Sequence, residues 1–89
     1  MLQKIKSELF SCIQDIYPEI KFSISDIEVS SLYDEKGDFT SNLCLKYSKL
    51  LKEKPSDIAK NIIDIFKLNE ITKIELAGPG FLNFFITDA

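Results

Sequence analysis

Phe81, Asn83 and Phe85 alternate along the stretch GPGFLNFFI, residues 78–86. In an extended chain every second side chain shares a face, so two phenyl rings and a carboxamide would stand side by side. Their chemistry is recognition. A phenyl ring stacks on a nucleobase for about 1–3 kcal/mol per base, and an amide offers a donor and an acceptor to a base edge. Lys73, opposite Phe85 if the glycines turn a hairpin, adds a cation within reach of a phosphate. The same residues allow two other readings. A helix or a neighbouring domain covers this face and Asn83 bonds Glu75 across the hairpin, or two copies of the chain pair through Phe81 and Phe85, since contiguous exposed apolar surface marks contact sites. On the residues alone all three stay open.

Other chemistries find fewer parts. The chain has no His, and Cys12 and Cys44 lie far apart within apolar patterns, so a zinc site lacks ligands. These are expected to be free, buried or half-buried thiols. The acidic run Asp34-Glu35-Lys36-Gly37-Asp38 lacks the ligand spacing of a calcium loop; it reads as a solvated turn with Asp38 capping the next helix. Gly78-Pro79-Gly80 joins two strand-like runs and opens no helix, which excludes a phosphate loop. The scattered carboxylates form no acid, base or nucleophile constellation, so a stand-alone enzyme is the least supported class. No metal or cofactor is expected in this chain.

Charge narrows the partners further. Fourteen acids oppose eleven bases for a net charge of −3, and every base is Lys. A generic nucleic-acid binder needs a basic surface and favours Arg for bidentate contacts, so no DNA partner is expected and any nucleic-acid contact must be local. Lys46, Lys49 and Lys52 read as a solvated helix face. The N-terminal residues alternate charge with apolar side chains, unlike a signal peptide. No apolar run approaches the ~18 residues of a membrane span, and a cytoplasmic location is expected.

The elements that must hold Phe81 and Asn83 follow from periodicity. Leu2, Ile5, Leu9, Phe10, Ile13 and Ile16 fall at helical spacing, predicting a helix from Met1 to about Tyr17 that Pro18 ends. A strand is expected around Ile27 to Leu32, with a weaker one near Phe22 to Ser25. A second helix is expected from about Phe39 to Glu53, its inner stripe being Phe39, Leu43, Tyr47, Leu50 and Leu51. Pro55-Ser56-Asp57 starts a third, with Ser56 as N-cap and Ile58, Ala59, Ile62, Ile63 and Phe66 inside. Two strands, Ile71 to Ala77 and Phe81 to Thr87, then flank the glycine loop. With a three-residue loop, Leu76 faces Leu82, Ile74 faces Phe84 and Thr72 faces Ile86 on one side. Ala77 faces Phe81, Glu75 faces Asn83 and Lys73 faces Phe85 on the other. The first set is almost wholly apolar and the second mixed, as in a half-buried hairpin.

These elements imply a small α+β domain of two layers, a mostly antiparallel sheet with about three helices on one face. A chain of 89 residues makes one domain and buries roughly 60–70% of its unfolded surface. With 45% hydrophobic residues it has ordinary globular composition, so no disulfide or metal staple is required.

The order of motifs carries a resemblance. GDFTSNLCLKYSKLLKEKPSDIAKNI, followed by IELAGPGFLNFFI, closely resembles the N-terminal domain of arginyl-tRNA synthetase. Gly37, Asp38, Phe39, Asn42, Pro55, Ala59, Gly78, Gly80, Phe81 and Asn83 fit that family's pattern over essentially the whole chain. Leu and Tyr replace some small residues usual in the helix after Asn42. The resemblance implies a domain that precedes a class I catalytic domain and contacts the D-loop of tRNA(Arg). It implies that Phe81 and Asn83 touch a D-loop nucleotide; on the reading of the residues above, Phe85 is expected to support that platform and Lys73 to lie near a phosphate. It also implies that the parent esterifies tRNA with arginine using ATP and Mg. No His-containing or Lys-Met-Ser-Lys-Ser signature is present, so residues 1–89 are expected to be a monomeric fragment inert in that reaction, with tRNA(Arg) and the remaining synthetase domains as its partners.

Overall fold

The computed structural model describes residues 1–86. Helix α1 spans Leu2–Ile16 and buries Ile5, Leu9, Cys12 and Ile13, the i, i+4, i+7, i+8 stripe of an amphipathic helix. It stops at Tyr17, before Pro18, whose ring disfavours helical geometry in the residue ahead of it. A 3-10 turn at Ile24–Asp26 follows, then strands β1, Ser30–Asp34, and β2, Gly37–Ser41. Helix α2 is Leu43–Leu51 and α3 is Pro55–Ile65. Strands β3, Ile71–Ala77, and β4, Phe81–Ile86, close the chain.

The four strands form one sheet in the order β1-β2-β4-β3, antiparallel at every step. The helices pack on one face, so the architecture is the expected α+β pair of layers. Leu82 and Phe84 point into that layer and are fully buried. Phe84 meets Phe66 at 5.4 Å between ring centroids, and Ile5, Leu9, Ile13, Ile58 and Ile62 complete the core. Phe22 and Tyr47 close its other end edge to face at 5.1 Å.

Several elements differ from the sequence reading, each for a tertiary reason. Residues 37–41 form a strand where the sequence suggests a turn and the start of a helix. Phe39 sits four residues before Leu43 and so extends its helical stripe, yet it pairs with Phe84 in the sheet. Helix α2 therefore begins after Asn42, which is its N-cap residue. Asp38 caps no helix; its carboxylate accepts the backbone N–H of Ile86 at 2.8 Å, tying β2 to the end of β4. The first strand begins at Ser30, three residues later than expected, and Phe22 to Ser25 is not a strand. Pro55 is the first residue of α3 and Lys54 its cap, in keeping with the tolerance of that position for a missing N–H. Leu50 lies on the expected inner stripe but is 57% exposed: periodicity sets a direction, and among the described residues nothing covers it.

The terminal hairpin has the expected register from Ala77↔Phe81 through Lys73↔Phe85. Beyond it the ladder shifts, so that Ile71 rather than Thr72 pairs with Ile86, and the Thr72 hydroxyl donates to the Phe85 carbonyl at 3.2 Å. Thr87, the expected end of the strand, lies outside the described residues. Gly80 has φ +156°, and a Cβ there would stand 2.6 Å from Pro55 Cβ. The loop thus seats the hairpin directly against the start of α3.

Candidate nucleic-acid interface

Alternation along β4 sends Phe81, Asn83 and Phe85 to the face away from the helices. Phe81 is 36% exposed, whereas Asn83 is only 7% exposed and Phe85 is half-buried. The three share a face, but they do not share an environment.

Asn83 is flanked on both sides by register partners, Thr40 of β2 and Glu75 of β3. It bonds the first: the Thr40 hydroxyl donates to Asn83 Oδ1 at 2.7 Å. Glu75 instead pairs with Lys73, Nζ to Oε2 at 3.3 Å, so the cross-hairpin bond from Asn83 to Glu75 does not form. Ser30 pairs with Thr40 in turn, and a polar row, Ser30–Thr40–Asn83–Glu75, crosses the whole sheet. Asn83 lies between Thr40 and Glu75 in the ladder, and the chain at Gly37 packs against it. A Cβ at Gly37 would lie 3.3 Å from Asn83 Cβ, and its φ is +152°, so both space and backbone geometry favour glycine there.

Lys73 reaches over Phe85, its ammonium 4.4 Å from the ring centroid, within cation–π range. The cation of the predicted set therefore sits at Phe85, in a shared cluster with Glu75. Phe81 instead borders a cleft of about 440 Å³ lined also by Thr40, Ser41, Asn42, Ser30, Glu28 and Lys6 among others. Neither Asn83 nor Phe85 lines it. Ser41 is internally satisfied: it donates to the Glu28 carbonyl at 2.6 Å and accepts the Leu43 N–H at 3.3 Å. Asn42 Oδ1 is buried without a hydrogen-bond partner, the one such side-chain atom among the described residues.

Thr40 and Asn42 are the polar neighbours that the chemistry-first reading of residues 81–85 passes over. Asn42 has its signal in the family pattern. Thr40 has none, because a residue taken for the first turn of a helix has no predicted neighbour on another strand. The two cysteines lie in the core, far from this chemistry: burial, aided at Cys12 by Glu8, pushes both thiols up to about 12. Among the described residues no three His, Cys, Asp or Glu side chains cluster where they would hold a metal ion.

Comparison with known proteins fits this geometry. The model of the arginyl tRNA synthetase N terminal domain matches residues 3–86. An arginine–tRNA ligase of Shewanella woodyi is 44% identical over 54 residues, covering 60% of this chain and 9% of that protein. One from Pseudomonas aeruginosa is 42% identical over 62 residues, covering 67% of this chain and 11% of the ligase. The chain thus spans about a tenth of the curated relatives it matches. The fold is that of two solved structures. The arginyl-tRNA synthetase of Plasmodium falciparum superposes with a TM-score of 0.79 at 23% identity, over 97% of this chain and 16% of that one. The Thermus thermophilus enzyme gives 0.78 at 18% identity, over 98% of this chain and 14% of that one. With the family's model matched across nearly all of its length, this chain belongs to the arginyl-tRNA synthetase N-terminal domain family.

Proposed function

We propose that this chain is the tRNA-positioning domain of an arginine–tRNA ligase and that it contacts the D-loop of tRNA(Arg). Phe81 stacks on an unpaired D-loop base and Asn83 hydrogen-bonds its edge. Phe85 backs the platform, and Lys73 contacts a phosphate by exchanging Glu75 for it. The observation that carries this reading is Phe81 itself: a large ring, 36% exposed, on the face of β4 opposite Leu82 and Phe84, beside a cleft and two residues from a carboxamide. The family resemblance supplies the nucleic acid. ATP- and Mg-dependent arginylation belongs to the parent's other domains, in the cytoplasm, since a chain without His lacks the first class I signature.

Magnitudes make the isolated chain a weak binder. One stacked base is worth about 1–3 kcal/mol, and a net hydrogen bond about 0.5–1.5 kcal/mol, before the cost of association. A net charge of −3 adds little nonspecific attraction. Binding in the high-micromolar range or weaker is expected, and in the parent the other domains would raise the effective concentration of the D-loop. The test is an NMR titration of the 89-residue chain with tRNA(Arg) and with an unrelated hairpin RNA. Shifts at Phe81 and Asn83 with the tRNA alone are the expected result; equal shifts with both RNAs, or none, would refute it. Dimerisation through the phenyl face fits less well, because the Lys73 ammonium over Phe85 puts charge into the patch. Light scattering should accordingly give a monomer mass independent of concentration.

A further inference from the structure

We infer that Thr40 is a positioning residue for the RNA contact: its hydroxyl holds the Asn83 carboxamide so that the N–H₂ end faces the nucleotide. The inference rests on the functional reading above and adds a residue and a polarity to it.

A carboxamide is ambiguous by itself. Rotating it by half a turn exchanges an acceptor for a donor at little cost in shape, and a ligand that needs one of them must bear the cost of selecting it. At Asn83 the structure has one of the two orientations, the one in which the Thr40 hydroxyl donates to the carbonyl. Thr40 Oγ1 lies 2.7 Å from Asn83 Oδ1, and the two residues are direct partners in the β2–β4 ladder. Thr40 is β-branched, which restricts χ1, so the backbone of β2 fixes where its hydroxyl stands. With the carbonyl turned towards Thr40, the amide nitrogen is left to face the other way. Among the described residues no acceptor takes that nitrogen's hydrogens, and it is not a sealed atom, because Asn42 Oδ1 is the one buried side-chain polar atom without a partner.

The small exposed part of Asn83 therefore offers a hydrogen-bond donor. The ligand it suits is an unstacked nucleotide that turns an acceptor, a ring nitrogen or an exocyclic carbonyl, to the edge lying over β4. An exocyclic amino group at that edge would meet the wrong partner. Preorganising the donor also reduces the ordering cost of binding, which matters for a contact made of so few groups.

A double-mutant cycle tests this in the 89-residue chain, with tRNA(Arg) affinity measured by NMR titration for Thr40→Val, Thr40→Ser, Asn83→Ala and the Thr40→Val/Asn83→Ala pair. Valine keeps the branched shape and suits a strand; a thermal melt checks that each variant folds, and Thr40→Ala replaces it should it not. Thr40→Val should weaken binding about three- to tenfold, the worth of one net hydrogen bond, while Thr40→Ser stays near wild type. In the Asn83→Ala background the same change should have no effect, since Thr40 acts through Asn83. An undiminished loss in that background would make Thr40 merely structural and overturn the inference. So would unchanged binding by Thr40→Val where Asn83→Ala weakens it. Unchanged binding by Asn83→Ala would instead remove the functional reading itself, and this inference with it.

Discussion

Leu82 and Phe84 are fully buried, while Phe81, next to Leu82 on the same strand, is 36% exposed. These residues share one backbone, one hydrogen-bonded ladder and nearly the same chemistry. What separates them is the pleat: Leu82 and Phe84 turn into the core, whereas Phe81, Asn83 and Phe85 turn to the opposite face of the sheet, where Thr40, Glu75 and Lys73 are their cross-strand neighbours. One face of the strand thus serves stability and the other is free to serve recognition. The polar row at Asn83 shows how the second face stays ordered without a hydrophobic layer above it, through a 2.7 Å side-chain bond from Thr40.

Substitutions should separate the two faces cleanly. The largest effect is expected for Phe84→Ala, where losing a fully buried ring should cost about 3–5 kcal/mol and leave the domain partly unfolded in a urea or thermal melt. A loss under 1 kcal/mol, on the order of a surface change, would mean that the helix layer does not depend on β4. Next comes Gly80→Ala. Its Cβ would fall 2.6 Å from Pro55 Cβ and 3.2 Å from the Leu45 nitrogen, at φ +156°, so a destabilisation of about 1–3 kcal/mol is expected. A neutral melt would show that the loop and α3 separate easily.

The buried layer should also respond to alkali. Burial raises both thiols from 9.0 to about 12, so the folded protein keeps protons that the unfolded chain releases above pH 9. That stability is fully present below the unfolded value and is lost as pH rises towards 12, by up to about 1.4 kcal/mol per pH unit for each thiol. Urea melts at about pH 7.5 and about pH 10 should show the fall, and it should shrink in a Cys12→Ala/Cys44→Ala variant. Equal falls in both proteins would assign the effect elsewhere. The smallest stability change is expected for Phe81→Ala, within about 0.5 kcal/mol, although RNA affinity should drop by about 1–3 kcal/mol. If Phe81→Ala melts like Phe84→Ala, the division of labour between the faces is wrong.

How far the sequence reveals this molecule depends on whether the relevant contacts are local. The stripe of α1, the proline boundaries and the hairpin register from 73 to 85 are legible because helical and extended periods, turn residues and pairing counts all lie within short windows. Phe39 is the instructive failure. Its spacing to Leu43 satisfies a helix, and only Phe84, forty-five residues away, makes it a strand residue. Thr40 carries no local signal for the same reason, and Asp38, which reads as a helix cap, instead accepts the backbone N–H of Ile86.

Composition and pattern by themselves therefore determined the α+β class, the two faces of the terminal hairpin and the ring and amide that stand on one of them. Tertiary structure alone decided how much of each side chain meets water, which neighbour Asn83 bonds, and that a second hairpin completes the sheet. Periodicity specifies the direction in which a side chain points. Burial and hydrogen-bond partners depend on what the rest of the chain brings to that place, and long-range pairing leaves no local signature.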